Sequence, residues 1–225
     1  MTGPGALPTL AVLGGTGHLG GALARRWALA GYPVILGSRD AGRAADAAAG
    51  LAAECRTSVR GLANRAAADA AEIVVVTVPW ATQQAVLEDI RSAVTGKLVV
   101  DTTVPLVPPR VMRVQLPAEG SAAVRAQQIL GAAVTVASAF HNVAAHKLTQ
   151  SAGVDCDVLV FGDQKEARER VVALAGAAGL RGIHGGALAN SAAAEALTSI
   201  LIFINKTYAV DGAGLRITGE LRLGG

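Results

Sequence analysis

The sequence predicts an α/β fold on a doubly wound, mostly parallel sheet, and three observations point there. Short apolar runs rich in β-branched residues recur at 9–13, 34–36, 73–78, 98–101 and 134–140. Each is continuously apolar rather than alternating, as in a parallel strand covered on both faces. Ala-rich stretches of helical length lie between them, and strands spaced by helices imply parallel crossovers.

Taken in order, 9–13 reads as the first strand and 19–30 as a helix stopped by Gly31. Residues 34–36 form the second strand and 43–54 the next helix. The segment 104–117 holds four of the eight prolines, which predicts an irregular loop near the carboxyl edge of the sheet. Beyond Ala145 the pattern loosens, with a strand at 158–161 and a helix at 166–178. Asn190 or Ser191 is placed to cap a last helix running to about Ala209, with Glu195 near its positive end. Ala194, Leu197, Leu201, Ile204 and Tyr208 share one face of it, widened by Ile200 and Phe203. That face is expected to be buried against the first domain or a partner subunit. A soft boundary between Phe140 and Asp157 divides the chain into 1–145 and a small C-terminal α/β extension, 146–225.

Composition narrows the function. Hydrophobic residues make up 52% and charged residues 16%, so the chain can build a large core rather than remain disordered. The net charge is +3, but the basic residues are scattered, which argues against nucleic acid and suits a small anionic ligand. Cys55 and Cys156 have no CxxC or Cys/His spacing, so neither a disulfide framework nor a metal site is implied. No secretory pattern opens the chain, and the apolar run at 200–204 is too short to span a bilayer, which makes a cytoplasmic protein the expectation.

The chemistry is carried first by Gly15-Thr16-Gly17-His18-Leu19-Gly20, which follows a strand and opens a helix. Glycines there permit a tight turn, a close approach of backbone to a pyrophosphate and close helix–strand packing, while the helix N-terminus offers N–H groups to the phosphates. This is a Rossmann-type dinucleotide signature. The second strand then ends in Ser38-Arg39, with Arg43 one turn later, where an NAD enzyme usually carries an acid. A hydroxyl and two guanidiniums suit a 2′-phosphate, so NADP(H) is favoured over NAD(H). Asp40 is expected to face solvent or pair with Arg43. Val78 and Pro79 fall at a strand's carboxyl edge, where they would flank the nicotinamide, and Trp80 either caps that pocket or packs on the next helix. His141 lies at a similar edge, within Ser138-Ala139-Phe140-His141-Asn142-Val143, and could face His146.

These motifs, with LGSRD, VTVPW, SAFHNVAA and the closing GALANSAAAEALTSILIFIN and GAGLRITG, resemble the F420-dependent NADP reductase family over nearly the whole chain. The resemblance implies hydride exchange between NADP(H) and coenzyme F420, an 8-hydroxy-5-deazaflavin, in a homodimer. It places phosphate binding on Thr16, Gly17, His18 and Leu19, and 2′-phosphate binding on Ser38, Arg39 and Arg43. Val78, Val104 and Ala145 would contact the rest of NADP, and His141 and Ala213 would border the deazaflavin. The Pro- and Val-rich stretch 102–113 and Asn142 depart from the family pattern as we read it. Two other readings are an NADP-dependent reductase of an imine, carbonyl or metal substrate, and a non-catalytic NADP sensor. Against the first, Lys147 and Lys206 show no acid partner in the sequence.

Overall fold

The computed structural model describes residues 6–150 and 153–222. Eight strands among them form one sheet in the order β3-β2-β1-β4-β5-β6-β7-β8. They are β1 (Leu10–Leu13), β2 (Val34–Ser38), β3 (Val59–Ala63), β4 (Ile73–Val76), β5 (Leu98–Asp101), β6 (Thr135–Ser138), β7 (Asp157–Gly162) and β8 (Arg181–Gly186). Pairing is parallel from β3 through β6, antiparallel between β6 and β7, and parallel again between β7 and β8. The strand order reverses between β1 and β4, and that switch point opens a ligand crevice at the carboxyl ends.

The apolar runs are continuous because each strand feeds two cores. Leu10 and Val12 point into one cluster, with Leu23, Trp27, Leu174 and Val171, while Ala11 and Leu13 point into the other, with Leu87 and Ile90. The helices are α1 (His18–Leu29), α2 (Ala41–Cys55), α3 (Asn64–Asp69), α4 (Trp80–Ile90), α5 (Ala122–Leu130), α6 (Ala145–Leu148), α7 (Lys165–Ala177) and α8 (Ser191–Tyr208).

The extension is tied to the rest by specific bonds. Trp27 of α1 is fully buried, donates its indole N–H to the Leu174 carbonyl of α7 at 2.8 Å, and meets Phe140 edge-on at 5.9 Å. In β7, the buried Asp157 carboxylate accepts two bonds from Arg181, at 2.7 and 2.6 Å, and one from the Ile217 N–H at 2.6 Å. The Arg181 guanidinium holds that carboxyl below the usual range. One side chain thus fixes β8 and the C-terminal tail to β7.

Three expectations change. Neither Asn190 nor Ser191 caps α8: Asn190 donates to the Gly185 carbonyl, and Ser191 Oγ bonds the Leu188 carbonyl at 2.6 Å. The apolar face of α8 is only partly covered. Ala194 and Leu201 are buried, but Ile200, Phe203 and Tyr208 are 47%, 50% and 72% exposed. The stretch Leu188–Tyr208 is also long and apolar enough, by length and composition, to cross a membrane, which a reading confined to 200–204 did not anticipate; Leu188, Ala194 and Leu201 within it are buried inside the protein.

Candidate functional site

A cavity of about 830 Å³ lies over the carboxyl ends of β1, β2, β4 and β5. Its floor is the β1–α1 turn. Gly14 there has φ +80°, a left-handed conformation that favours glycine. A Cβ on Gly20 would collide with Thr77 Oγ1 and lie 2.7 Å from the Gly14 carbonyl oxygen, so the helix seats against the β4 edge only with glycine at 20. No side chain caps α1 at Gly17, so its first N–H groups and the positive end of its dipole are available to an anion. Thr16, Gly17, His18 and Leu19 line the cavity. Gly15 does not: a Cβ on it would meet Leu36 Cδ2 and the Val12 carbonyl, both at 2.8 Å, so its part is packing.

At the other end, Ser38, Arg39 and Arg43 line the same cavity. Asp40 is exposed, as expected, and does not bridge to the Arg43 guanidinium. It caps α2, its Oδ1 accepting from the N–H groups of Gly42 and Arg43 at 2.8 and 3.1 Å. Short acids at such positions are ordinary helix caps. Neither the Arg39 nor the Arg43 guanidinium bonds or pairs with any other described residue. The helix start and the two cations therefore make an anion-binding groove with two poles.

Val78, Pro79, Trp80 and Val104 line the opposite wall. Trp80 opens α4 and lies 4.6 Å beneath the Arg125 guanidinium of α5, so it both faces the cavity and is held from behind. Sequence reasoning passed over Thr77, Thr102, Thr103 and Asn64, which also line this cavity. Small polar residues at strand ends were the available signal.

His141, Ala145 and Ala213 are not part of this wall. Ala145 and Ala213 are chain neighbours of Ala144, Gly212 and Gly214, which border a second cavity of about 330 Å³, while His141 borders neither cavity. The His141 ring is 6.2 Å from that of Phe161, its Nε2 has no partner, and burial pushes its pKa down to about 4. It is therefore neutral near pH 7. His146 turns to Asp211 at 2.8 Å, not to His141, and Lys147 bonds the same carboxylate at 2.6 Å, so Lys147 does have an acid partner.

The family model for NADP oxidoreductase, coenzyme F420-dependent, matches residues 9–105. The F420-dependent NADP reductase of Methanothermobacter thermautotrophicus is 42% identical over 218 residues, covering 93% of this chain and 94% of that one. The chain belongs to the F420-dependent NADP reductase family. The member from Methanocaldococcus jannaschii is 35% identical over 224 residues, covering 93% and 97%. Among solved structures, a hypothetical protein from Sinorhizobium meliloti aligns with TM-score 0.66 and 21% identity, over 83% of this chain and 88% of that one. An imine reductase from Myxococcus stipitatus aligns with TM-score 0.60 and 21% identity, over 90% and 62%. At that identity the two structures share the fold alone.

In this family member, a buried acidic network backs the wall formed by Val78, Pro79, Trp80 and Val104. Asp101, fully buried at the end of β5, accepts from the Thr103 N–H at 3.1 Å and hydroxyl at 2.6 Å, and from Gln83 Nε2 at 2.5 Å. Gln83 also donates to the Ala122 carbonyl at 3.1 Å. Glu195 was expected at the positive end of its own helix. It does lie near that end of α8, and from there it reaches α5, accepting from the Ala122 and Ala123 N–H groups at 2.7 and 3.1 Å. Burial pushes both carboxyls up, Glu195 to about 8, against the pull of those donors.

A carboxyl that stays protonated to about pH 8 when folded, but ionises near 4.5 when unfolded, stabilises the fold at low pH and loses that contribution as pH rises between the two. His141, whose pKa burial lowers from 6.5 to about 4, acts in the opposite sense below about pH 6.5, so the melting temperature should fall with pH from there to about 8, and Glu195→Gln should flatten the fall. An unchanged slope in the variant would place the dependence on other groups.

Proposed function

We propose that this chain is an oxidoreductase that moves a hydride directly between NADP(H) and coenzyme F420. The observation that carries the reading is the groove whose two poles are the uncapped start of α1 and the Ser38-Arg39-Arg43 cluster, in a chain of this family. A dinucleotide phosphate fits it. The pyrophosphate meets the N–H groups of Thr16, His18 and Leu19 over the Gly17 backbone, whose own N–H is held by the Gly14 carbonyl, and the 2′-phosphate meets one hydroxyl and two guanidiniums.

When bound, the coenzymes supply the redox chemistry, nicotinamide C4 and deazaflavin C5 exchanging the hydride and the deazaflavin taking up a proton on reduction. The chain's own residues bind and orient. Val78, Pro79, Trp80 and Val104 confine the nicotinamide end, with Ala145 at the margin. Thr103, held by Asp101 through its N–H and hydroxyl, fixes the start of the loop after β5. His141 and Ala213 border the deazaflavin. Because His141 is neutral near pH 7, its role is to position the ring rather than to act as a charged proton donor. Residues 146–225 close that second pocket, and the exposed Ile200 and Phe203 of α8 form a homodimer contact. Such a protein would work in the cytoplasm on small coenzymes, without nucleic acid or membrane as partner.

The test is a mixing assay with purified chain, NADPH and oxidised F420, following the deazaflavin absorbance, with NADH as control. Rapid bleaching with NADPH and little with NADH is expected. Tight NADPH binding without bleaching would refute the F420 assignment and leave the NADP(H) site standing. In the same assay His141→Ala should weaken F420 binding along with turnover. Lost turnover with both affinities intact would give His141 a chemical role.

A further inference from the structure

The large cavity runs across four strands, and their order fixes which end is which. Ser38 and Arg39 stand at the end of β2, the uncapped start of α1 follows β1, and Val78, Pro79 and Trp80 follow β4. A dinucleotide with its 2′-phosphate on the first and its pyrophosphate on the second has its nicotinamide left for the third, over β4 and β5. That end carries a charge of its own. Arg125 of α5 lies over the Trp80 ring, 4.6 Å from its centroid, and donates to Gln84 Oε1 on the next turn of α4. Gln84 in turn donates to Glu88 at 2.8 Å, so along these bonds an acid is reached only through a neutral amide. The Arg125 guanidinium makes no ion pair with another described residue. Trp80 borders the cavity and Arg125 does not, so the indole stands between the charge and the space.

The nicotinamide ring is a cation in NADP⁺ and neutral in NADPH, while the phosphates, riboses and adenine are the same in both. A guanidinium is a fixed charge. It acts on a second cation across the indole in two ways. It repels that cation directly, and it polarises the ring toward itself, which leaves the ring a poorer partner for another positive group. We infer that Arg125 reads the redox state of the dinucleotide, disfavouring the oxidised form relative to the reduced one. Arg125 is then a specificity-determining residue separate from Ser38, Arg39 and Arg43, which bind a phosphate common to both forms. A charge that disfavours bound NADP⁺ also makes the bound dinucleotide a better hydride acceptor, because an equilibrium shifts by the difference in affinity for its two states. The inference rests on the NADP(H) reading above.

Calorimetric titration of the full chain with NADP⁺ and with NADPH tests it through the ratio of the two dissociation constants. Removing a unit charge within about 10 Å of a partly hydrated site changes such a ratio about two- to fivefold. Arg125→Gln should therefore tighten NADP⁺ relative to NADPH by that factor. Arg125→Lys, which keeps the charge, should hold the ratio near that of wild type. Arg125→Met, which keeps an aliphatic stem over the ring, is the neutral variant to use if Arg125→Gln does not fold. An unchanged ratio in the neutral variant would overturn the inference, even with both affinities weakened, and would make Arg125 a support of the cavity wall. An equal shift in Arg125→Lys would also overturn it, since charge would not be the cause. Failure of wild type to bind either dinucleotide would instead refute the NADP(H) reading itself.

Discussion

Arg39→Ala is expected to weaken NADPH binding by about 10–100-fold, the worth of one charge-assisted hydrogen bond, and to leave NADH binding nearly unchanged. The guanidinium faces the cavity at the end of β2 and makes no ion pair with another described residue, so its removal exposes no orphaned partner in the protein. Its neighbour Arg43 remains, anchored by the Asp40 cap at the start of α2. A residual preference for NADPH should therefore survive in Arg39→Ala and vanish when Arg43→Ala is added. Titration with both dinucleotides decides it. If Arg39→Ala weakens NADPH and NADH alike, the side chain supports the ribose or base, and the 2′-phosphate is selected elsewhere.

Trp27→Ala should be the most damaging core substitution, costing about 3–5 kcal/mol, the usual range for a buried large aromatic. Three things are lost together. The ring leaves a void in the core of the α1 face, the edge contact to Phe140 disappears, and the Leu174 carbonyl loses its donor. For a chain of this size the melting temperature should drop by roughly 10 °C or more. Trp27→Phe should recover most of the volume but not the bond to Leu174. A drop of only a degree or two in Trp27→Ala would mean that α1 and α7 hold together without it.

Much of the fold was legible because the parallel strands are buried on both faces. Their sequences are unbroken apolar runs that hardly resemble anything else, as in Ile73-Val74-Val75-Val76. The missed strands are those where burial is shared unevenly. β3 reads Val-Arg-Gly-Leu-Ala on the sheet edge, and β8 is Arg-Gly-Ile-His-Gly-Gly, which carries little strand signal and is fastened by the Arg181–Asp157 pair. That the glycine turn and Ser38-Arg39-Arg43 line one cavity was legible because each motif is a run of neighbouring residues at a strand's carboxyl end. The buried bonds of Asp101 and Glu195 were not, since they join separate elements: Gln83 of α4 reaches Asp101, and Glu195 caps a helix 72 residues before it. The half-exposed face of α8 shows the same limit, because periodicity reveals an apolar stripe but not what covers it.

The chain has only two tryptophans, and the fold has placed them in opposite circumstances. Trp27 is sealed in the core, away from solvent and from any ligand, while Trp80 stands in the cavity wall beneath Arg125. Intrinsic fluorescence therefore divides into two channels: one emitter follows the integrity of the core, and the other follows what enters the cavity. Substituting either tryptophan by phenylalanine isolates the remaining channel, so folding and occupancy can be followed separately on unlabelled protein.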